Sequence, residues 1–188
     1  RTLANRCLTG DCGASMYIKL VKYPDVFLRS VSKDVPFPLD DKDSRLIKWM
    51  TKAMYQHQGI GIAAIQVGYQ KKIFIMDCSR SRENPKVFIN PVIITKSDEI
   101  LRDVEGCLSA PGKQGDVKRH IRIILKYNKE NGEEEQKTFY NLEARCIQHE
   151  MDHLEGKLCI DYEKGNYNSD KHKSQTMGES DFRTKSDE

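Results

Sequence analysis

The sequence predicts an α+β fold: short mixed and antiparallel sheets packed around a central histidine-bearing helix, with a first helix outside them. Three observations carry this expectation. Residues 40–58 and 141–155 repeat apolar side chains at three- and four-residue steps, the period of a helix. Short runs rich in isoleucine and valine lie between them. Asn131-Gly132 joins two such runs, and that dipeptide is the strongest short hairpin signal.

Residues 1–16 are polar and aperiodic and read as an N-terminal extension. Residues 17–37 read as a short strand or turn structure packed by Leu20, Val26, Phe27 and Leu28. The first helix sets Leu46, Trp49, Met50, Ala53, Met54 and His57 on one face, which assigns Trp49 and the methionines to the core. Asp40, Asp41 and Asp43 complement the positive end of its dipole, and Gly59 suits a left-handed residue past its other end. Strands are expected at 72–77 and 86–95, the second interrupted by Pro91, which calls for an edge or a bulge. A further short strand is expected at 98–103, and 121–127 with 135–140 form the arms of the hairpin.

The second helix begins with Asn141 as N-cap and Glu143 in its first turn, and Gly156 stops it. Leu142, Cys146, His149 and His153 share one stripe; Ala144, Ile147, Met151 and Leu154 make another. Two apolar faces imply a helix buried between layers. Residues 163–188 hold hardly an apolar side chain and read as a disordered tail or a frayed helix. One folded domain is therefore expected over 17–162.

Composition narrows the function. The chain has 188 residues, and its 31 Lys and Arg against 28 Asp and Glu leave a net charge of +3. There is no global basic footprint for nucleic acid or a membrane surface. No stretch approaches the roughly 18 consecutive apolar residues of a membrane span, and residues 1–16 lack the apolar centre of a secretory signal. Six cysteines in a chain of this length, with no Asn-x-Ser/Thr acceptor, point to reduced thiols, one or two of them chemically employed.

The informative string is Gln148-His149-Glu150-Met151-Asp152-His153-Leu154-Glu155-Gly156. Helical residues four apart project side by side, so two imidazoles can share one metal's coordination shell. Glu150 flanks them, within reach of a water held there. Two isolated helix-face histidines are ordinarily satisfied by hydrogen bonds. On a buried helix, two imidazoles and a carboxylate are costly unless a cation pairs them. Two cysteines compete as third ligand. Cys159 completes His-Glu-x-x-His-x-x-Gly-x-x-Cys, an imitation of the metzincin protease pattern with Cys in place of its third His. Cys107 lies in Glu105-Gly106-Cys107-Leu108-Ser109-Ala110-Pro111-Gly112, whose glycines and proline describe a tight loop.

A third segment reads Gly59-Ile60-Gly61-Ile62-Ala63-Ala64-Ile65-Gln66-Val67-Gly68. It follows a helix and lacks both a third motif glycine and a Walker lysine, which argues against a dinucleotide or phosphate loop. Gly59 and Gly61 let a ligand lie against the main chain, Ala63 and Ala64 permit tight packing, and Gln66 can aim an amide N–H at a reacting oxygen.

In this order, residues 59–66, 105–109 and 148–156 resemble the three motifs of the peptide deformylase family. The likeness covers about 17–162, including Asn90-Pro91 and Val117-Lys118-Arg119. The resemblance implies that 17–162 is a catalytic domain and that Cys107, His149 and His153 hold one divalent metal. Fe²⁺ would be native, with Zn²⁺, Co²⁺ or Ni²⁺ as substitutes. Water at the metal would lose a proton to Glu150 and attack the formyl carbon of an N-formyl-methionyl chain, releasing formate. The metal, the Gln66 amide and the Leu108 N–H would hold the oxyanion. The peptide would pair as an added strand near Ile60 and Gly61. Its methionine side chain would enter a pocket at the positions of Ile60, Gly106, Leu142, Cys146 and His149.

Glu105 and Arg119 would form a buried ion pair, unless Arg119 is a solvated strand charge. Arg145 departs from the family, standing where an apolar pocket residue is usual. Lys113-Gln114-Gly115 lacks an arginine that some members use on the peptide's carboxylate end. Implied partners are N-formyl-Met nascent peptides and, in passing, the ribosome, with no specific nucleic acid, no membrane and a monomeric state. The lysine-, isoleucine- and asparagine-rich composition with an N-terminal extension points to an organelle form, plastid, apicoplast-like or mitochondrial, with the bacterial cytoplasm as alternative. Two other readings stand beside this one: a metzincin-like endopeptidase using Cys159, and a non-catalytic binding module with a closed structural metal.

Overall fold

A computed structural model describes residues 17–162; the readings of 1–16 as an extension and 163–188 as a tail lie outside the described residues. Helix α1 spans Asp41–Gln56, and the Asp40 carboxylate caps it by accepting from the Asp43 N–H at 2.7 Å. That satisfies a donor the first turn leaves open. Leu46, Met50, Ala53 and Met54 are buried, as their spacing requires. The far end differs from expectation. Gln58, not Gly59, takes the left-handed conformation, at φ 56°. Glycine at 59 serves close approach instead, because a Cβ there would come within 2.5 Å of Leu108 Cδ1.

Seven strands follow in chain order: β1 Gly61–Ala63, β2 Ile73–Met76, β3 Lys86–Lys96, β4 Ile100–Gly106, β5 Gln114–His120, β6 Arg122–Asn128 and β7 Glu134–Tyr140. They form an antiparallel five-stranded sheet, ordered β1-β2-β3-β6-β7, and a β4-β5 pair. Pro91 lies at a bulge, where the β3–β6 register shifts between Ile89 and Val92. It is not at an edge, since β3 lies inside the sheet. Strand β5 has no obvious apolar pattern because its inward positions are Gly115, Val117 and Arg119.

Helix α2 spans Asn141–Leu154. Asn141 does not cap it. Tyr140 holds the cap position without a side-chain hydrogen bond, and Asn141 enters at φ 49°, a conformation asparagine tolerates. Gly156, at φ 72°, ends the helix as expected. Val26 is also corrected. It lies on a short 3-10 helix, Val26–Arg29, and is 82% exposed, while Leu28 beside it is buried.

The large sheet separates two apolar layers. Strand β2 shows how: Ile73 and Ile75 join Leu46, Met50 and Met54 of α1, while Phe74 and Met76 join Ile147 and Leu154 of α2. Side chains two apart face the same layer. Helix α2 touches β1 and β2 of the large sheet and β5 of the small one, so it lies between the sheets, as its two stripes predict. No helix among the described residues is long and apolar enough to cross a membrane.

Candidate active site

Helix α2 sets His149 and His153 one turn apart, with ring centroids 5.0 Å from each other. Strand β4 ends at Gly106 and delivers Cys107 into a tight turn closed by the Ala110 N–H on Cys107 O at 3.0 Å. The two elements bring one sulfur and two imidazole nitrogens within 4.8 Å of one another. Cys107 Sγ is 3.2 Å from His153 Nε2. Cys159 is not among them. Its buried thiol donates to Glu105 O at 3.6 Å. The chain leaves the helix at Gly156 and passes behind Gly115, where a Cβ would collide with the Cys159 carbonyl. The metzincin-like reading fails on that placement.

Glu105 organises the wall behind the histidines. Its Oε2 accepts from His149 Nδ1 at 2.9 Å and from Arg119 Nη2 at 2.8 Å. Its Oε1 accepts from Arg119 Nε at 3.0 Å and Arg145 Nη1 at 2.7 Å. Arg119 is only 5% exposed and also donates to Asp152 at 2.7 Å, so it is a buried partner and not a solvated strand charge. Burial alone would raise Glu105; Arg119 and His149 overcome this and hold it at about 2. Burial lowers His149, but Cys107 and Glu105 lift it to about 10. Burial and then the charge of His149 push His153 down. Arg145 spends its head in the same wall, donating also to Leu101 O at 2.6 Å and Val117 O at 3.3 Å. It thereby ties α2 to both strands of the small sheet.

Gln66 lies on a 3-10 helix, Ala64–Val67, just after β1. Its Oε1 accepts from the Ala63 N–H at 2.9 Å, which turns its NH₂ toward Ser109 Oγ at 3.1 Å and Cys107 Sγ at 3.6 Å. Glu150 is buried, and desolvation lifts it to about 7 although the charge of His149 opposes this. Glycine at 61 leaves the Glu150 carboxylate in place, since a Cβ would displace it and lie 2.8 Å from Cys146 Sγ. A cavity of about 480 Å³ opens over these groups. Ile60, Gly61, Gly106, Leu108, Leu142 and Cys146 all line it, with Gln66, Cys107, His149 and Glu150. Leu142 is 50% exposed; His153 is fully buried.

The residues fit a divalent transition metal. A thiolate and two imidazoles suit Fe²⁺ or Zn²⁺, whereas Mg²⁺ and Ca²⁺ want oxygen. Among the described residues, Glu150 Oε2 is buried without a hydrogen-bond partner, a costly arrangement that a water beside a bound ion would relieve. Sequence reading overlooked several supports. Ser109 accepts from Gln66. Asp152 holds Arg119 and accepts from Tyr162 Oη at 2.7 Å. Gln148 pairs with the His120 main chain, accepting at 3.1 Å and donating at 2.8 Å. All three lie inside the motifs, and that adjacency was the available signal.

Comparison with known proteins places this architecture. A family model described as polypeptide deformylase matches residues 17–168. The chain is similar to the peptide deformylase of Pelagibacter ubique, 43% identical over 141 residues, covering 74% of this chain and 81% of that protein. Among solved structures it is similar to a peptide deformylase from Plasmodium falciparum, at 40% identity and a TM-score of 0.72, covering 76% of this chain and 84% of that one. It is also similar to a class I type b peptide deformylase from Acinetobacter baumannii, at 32% identity and a TM-score of 0.75, covering 79% and 100%.

Proposed function

The chain belongs to the polypeptide deformylase family, and on that premise we propose that Cys107, His149 and His153 hold its metal while Glu150, Gln66 and the Leu108 N–H serve the reaction. The enzyme is a hydrolase that removes the N-formyl group from newly made polypeptides. One observation carries the residue assignment: a sulfur and two imidazoles converge beside a cavity lined by that sulfur, the His149 ring, a buried carboxylate and an oriented amide.

We assign Fe²⁺ as the native ion, with Zn²⁺, Co²⁺ or Ni²⁺ able to replace it. When bound, such an ion supplies a Lewis acid that polarises a carbonyl and acidifies water. The chain's own residues do the rest. Glu150 accepts the proton of the attacking water and returns it to the leaving amine, and its burial tunes it for both tasks. Gln66 Nε2 donates to the formyl oxygen as it gains charge, held in aim by the Ala63 N–H. The Leu108 N–H is the second donor. Glu105 keeps the proton of His149 on Nδ1, which leaves Nε2 as the ligand atom. The peptide adds a strand along the edge of β1 at Ile60 and Gly61, and its first side chain enters the cavity beside Gly106, Leu142 and Cys146.

The test is anaerobic purification followed by metal analysis and a formyl-Met peptide assay on the same sample. Formate release should track iron content and return on reloading a stripped protein. Release independent of metal overturns the proposal.

We further propose a monomer that meets the ribosome in passing, to be checked by light scattering and co-sedimentation. The lysine- and isoleucine-rich composition supports an organelle placement. Bacterial relatives such as that of Pelagibacter ubique favour the cytoplasmic alternative. Fractionation of the source cells separates the two.

A further inference from the structure

The β1–β2 ladder pairs Gly61 with Met76 and gains one more bond where the Asp77 N–H donates to Ile60 O at 2.8 Å. Past that point Arg82 takes over. Its Nη2 donates to Gly59 O, and its Nη1 donates to Asp77 O at 2.5 Å. A planar guanidinium can span two carbonyls on separate strands; a lysine ammonium is a single point.

Arg82 is itself held. Its guanidinium lies over the Tyr55 ring, 5.5 Å from the centroid, and Tyr55 Oη donates to Asp77 Oδ2 at 2.6 Å. The Asp77 carboxylate gathers the rest of the loop, accepting from the Ser79 N–H and hydroxyl at 2.9 and 2.6 Å and from the Asn84 N–H at 3.1 Å. The Arg82 N–H closes the knot on Ser79 Oγ at 3.2 Å. On its other side Gly59 lies against Leu108, with no room for a Cβ between them. Gly59, Ile60 and Gly61 all line the cavity.

The geometry points to Arg82 as a positioning residue for substrate: by cross-linking Gly59 O to Asp77 O it holds the 59–61 main chain at the spacing from the Leu108 loop at which a formylated peptide is received. This rests on the added-strand reading given above. Arg82 has no hydrogen bond to Glu150, Gln66, Cys107 or His149 among the described residues, so it acts on binding and leaves the chemical step alone. Its effect grows with the length of peptide backbone available to pair.

Steady-state kinetics of the metal-loaded enzyme on formyl-Met, formyl-Met-Ala and formyl-Met-Ala-Ser test this, with Arg82→Met and Arg82→Lys as variants. For the tripeptide, Arg82→Met should raise KM about tenfold, the size of one lost charge-assisted hydrogen bond. Its kcat should stay within about twofold. Formyl-Met should be unaffected, and Arg82→Lys should fall between. Hydrogen exchange without substrate should quicken at residues 59–62 in both variants and stay unchanged in α2. An equal KM change for all three substrates, or unaltered exchange at 59–62, overturns the proposal. A wild-type enzyme indifferent to peptide length overturns the added-strand reading first, and the proposal with it.

Discussion

The Nδ1–H of His149 donates to Glu105 Oε2 at 2.9 Å, and the other acceptor positions of that carboxylate are taken by Arg119 and Arg145. The carboxylate therefore cannot turn away without abandoning two cations, the buried Arg119 and the half-buried Arg145. A ring held this way offers one fixed nitrogen to the cavity. The orientation of this proposed metal ligand is thus set by charge pairing that reaches β5 through Arg119 and the body of α2 through Arg145.

Glu105→Gln keeps the shape and removes the charge. Metal affinity should fall about 10–100-fold. Stability should fall by about 3–5 kcal/mol, because two arginines lose their buried counter-charge. Competition with a chelator and urea unfolding measure the two effects. Undiminished metal affinity would refute the orienting role.

Glu150→Gln should retain the metal and lose turnover by about 10²–10⁴-fold, since ligation and proton transfer are assigned to different side chains. Metal content and formate release on one preparation check this. Normal turnover removes Glu150 as the base.

Gln66→Ala should lower kcat by about 10²–10³-fold, as for a lost oxyanion donor. KM should move far less. A change confined to KM would reassign Gln66 to substrate binding alone.

Cys107→Ser should lose metal, and Cys159→Ser should keep it, because the Cys159 thiol points to Glu105 O. The same metal analysis on both variants decides. A metal-free Cys159→Ser protein would contradict the ligand assignment.

Asp77 predicts an acid dependence. Burial pushes its carboxyl up, but hydrogen bonds from Ser79, Tyr55 and the Asn84 N–H prevail and hold it at about 2, below its ordinary 3.8. A depressed carboxyl stabilises the fold above its unfolded value, and that contribution disappears as pH falls from 3.8 toward 2. Asp77→Asn should therefore melt lower than wild type at pH 6, with the gap closing below pH 3. Melting curves across that range test it; a gap independent of pH would mean the carboxylate's charge is not what counts.

Much of the fold was legible where one period dominates. The faces of α1 and α2, the Asn131-Gly132 hairpin and the bulge at Pro91 all follow from local rules. The misreadings share a cause. Gly59 and Asn141 were assigned by propensity, but their roles depend on what lies opposite: Leu108 against Gly59, and the Ile121 carbonyl, which accepts from the Asn141 N–H at 2.8 Å. Val26 is apolar yet exposed, because a four-residue 3-10 helix buries Leu28 alone. Strand β5 was missed because its inward face carries a glycine and a buried arginine, and Arg119 counts as buried only once Glu105 and Asp152 are known to flank it.

By itself the sequence determined the pair of imidazoles and the carboxylate between them, because helical spacing alone makes them neighbours. It also supplied both candidate sulfurs. Only the tertiary structure set Cys107, and not Cys159, beside the two imidazoles, turned Arg145 into the cavity wall and brought Gln66 to the thiol. Those choices depend on how β4, α2 and the chain around β1 pack together, and residues 40 or more positions apart meet only when the sheets close on the helix.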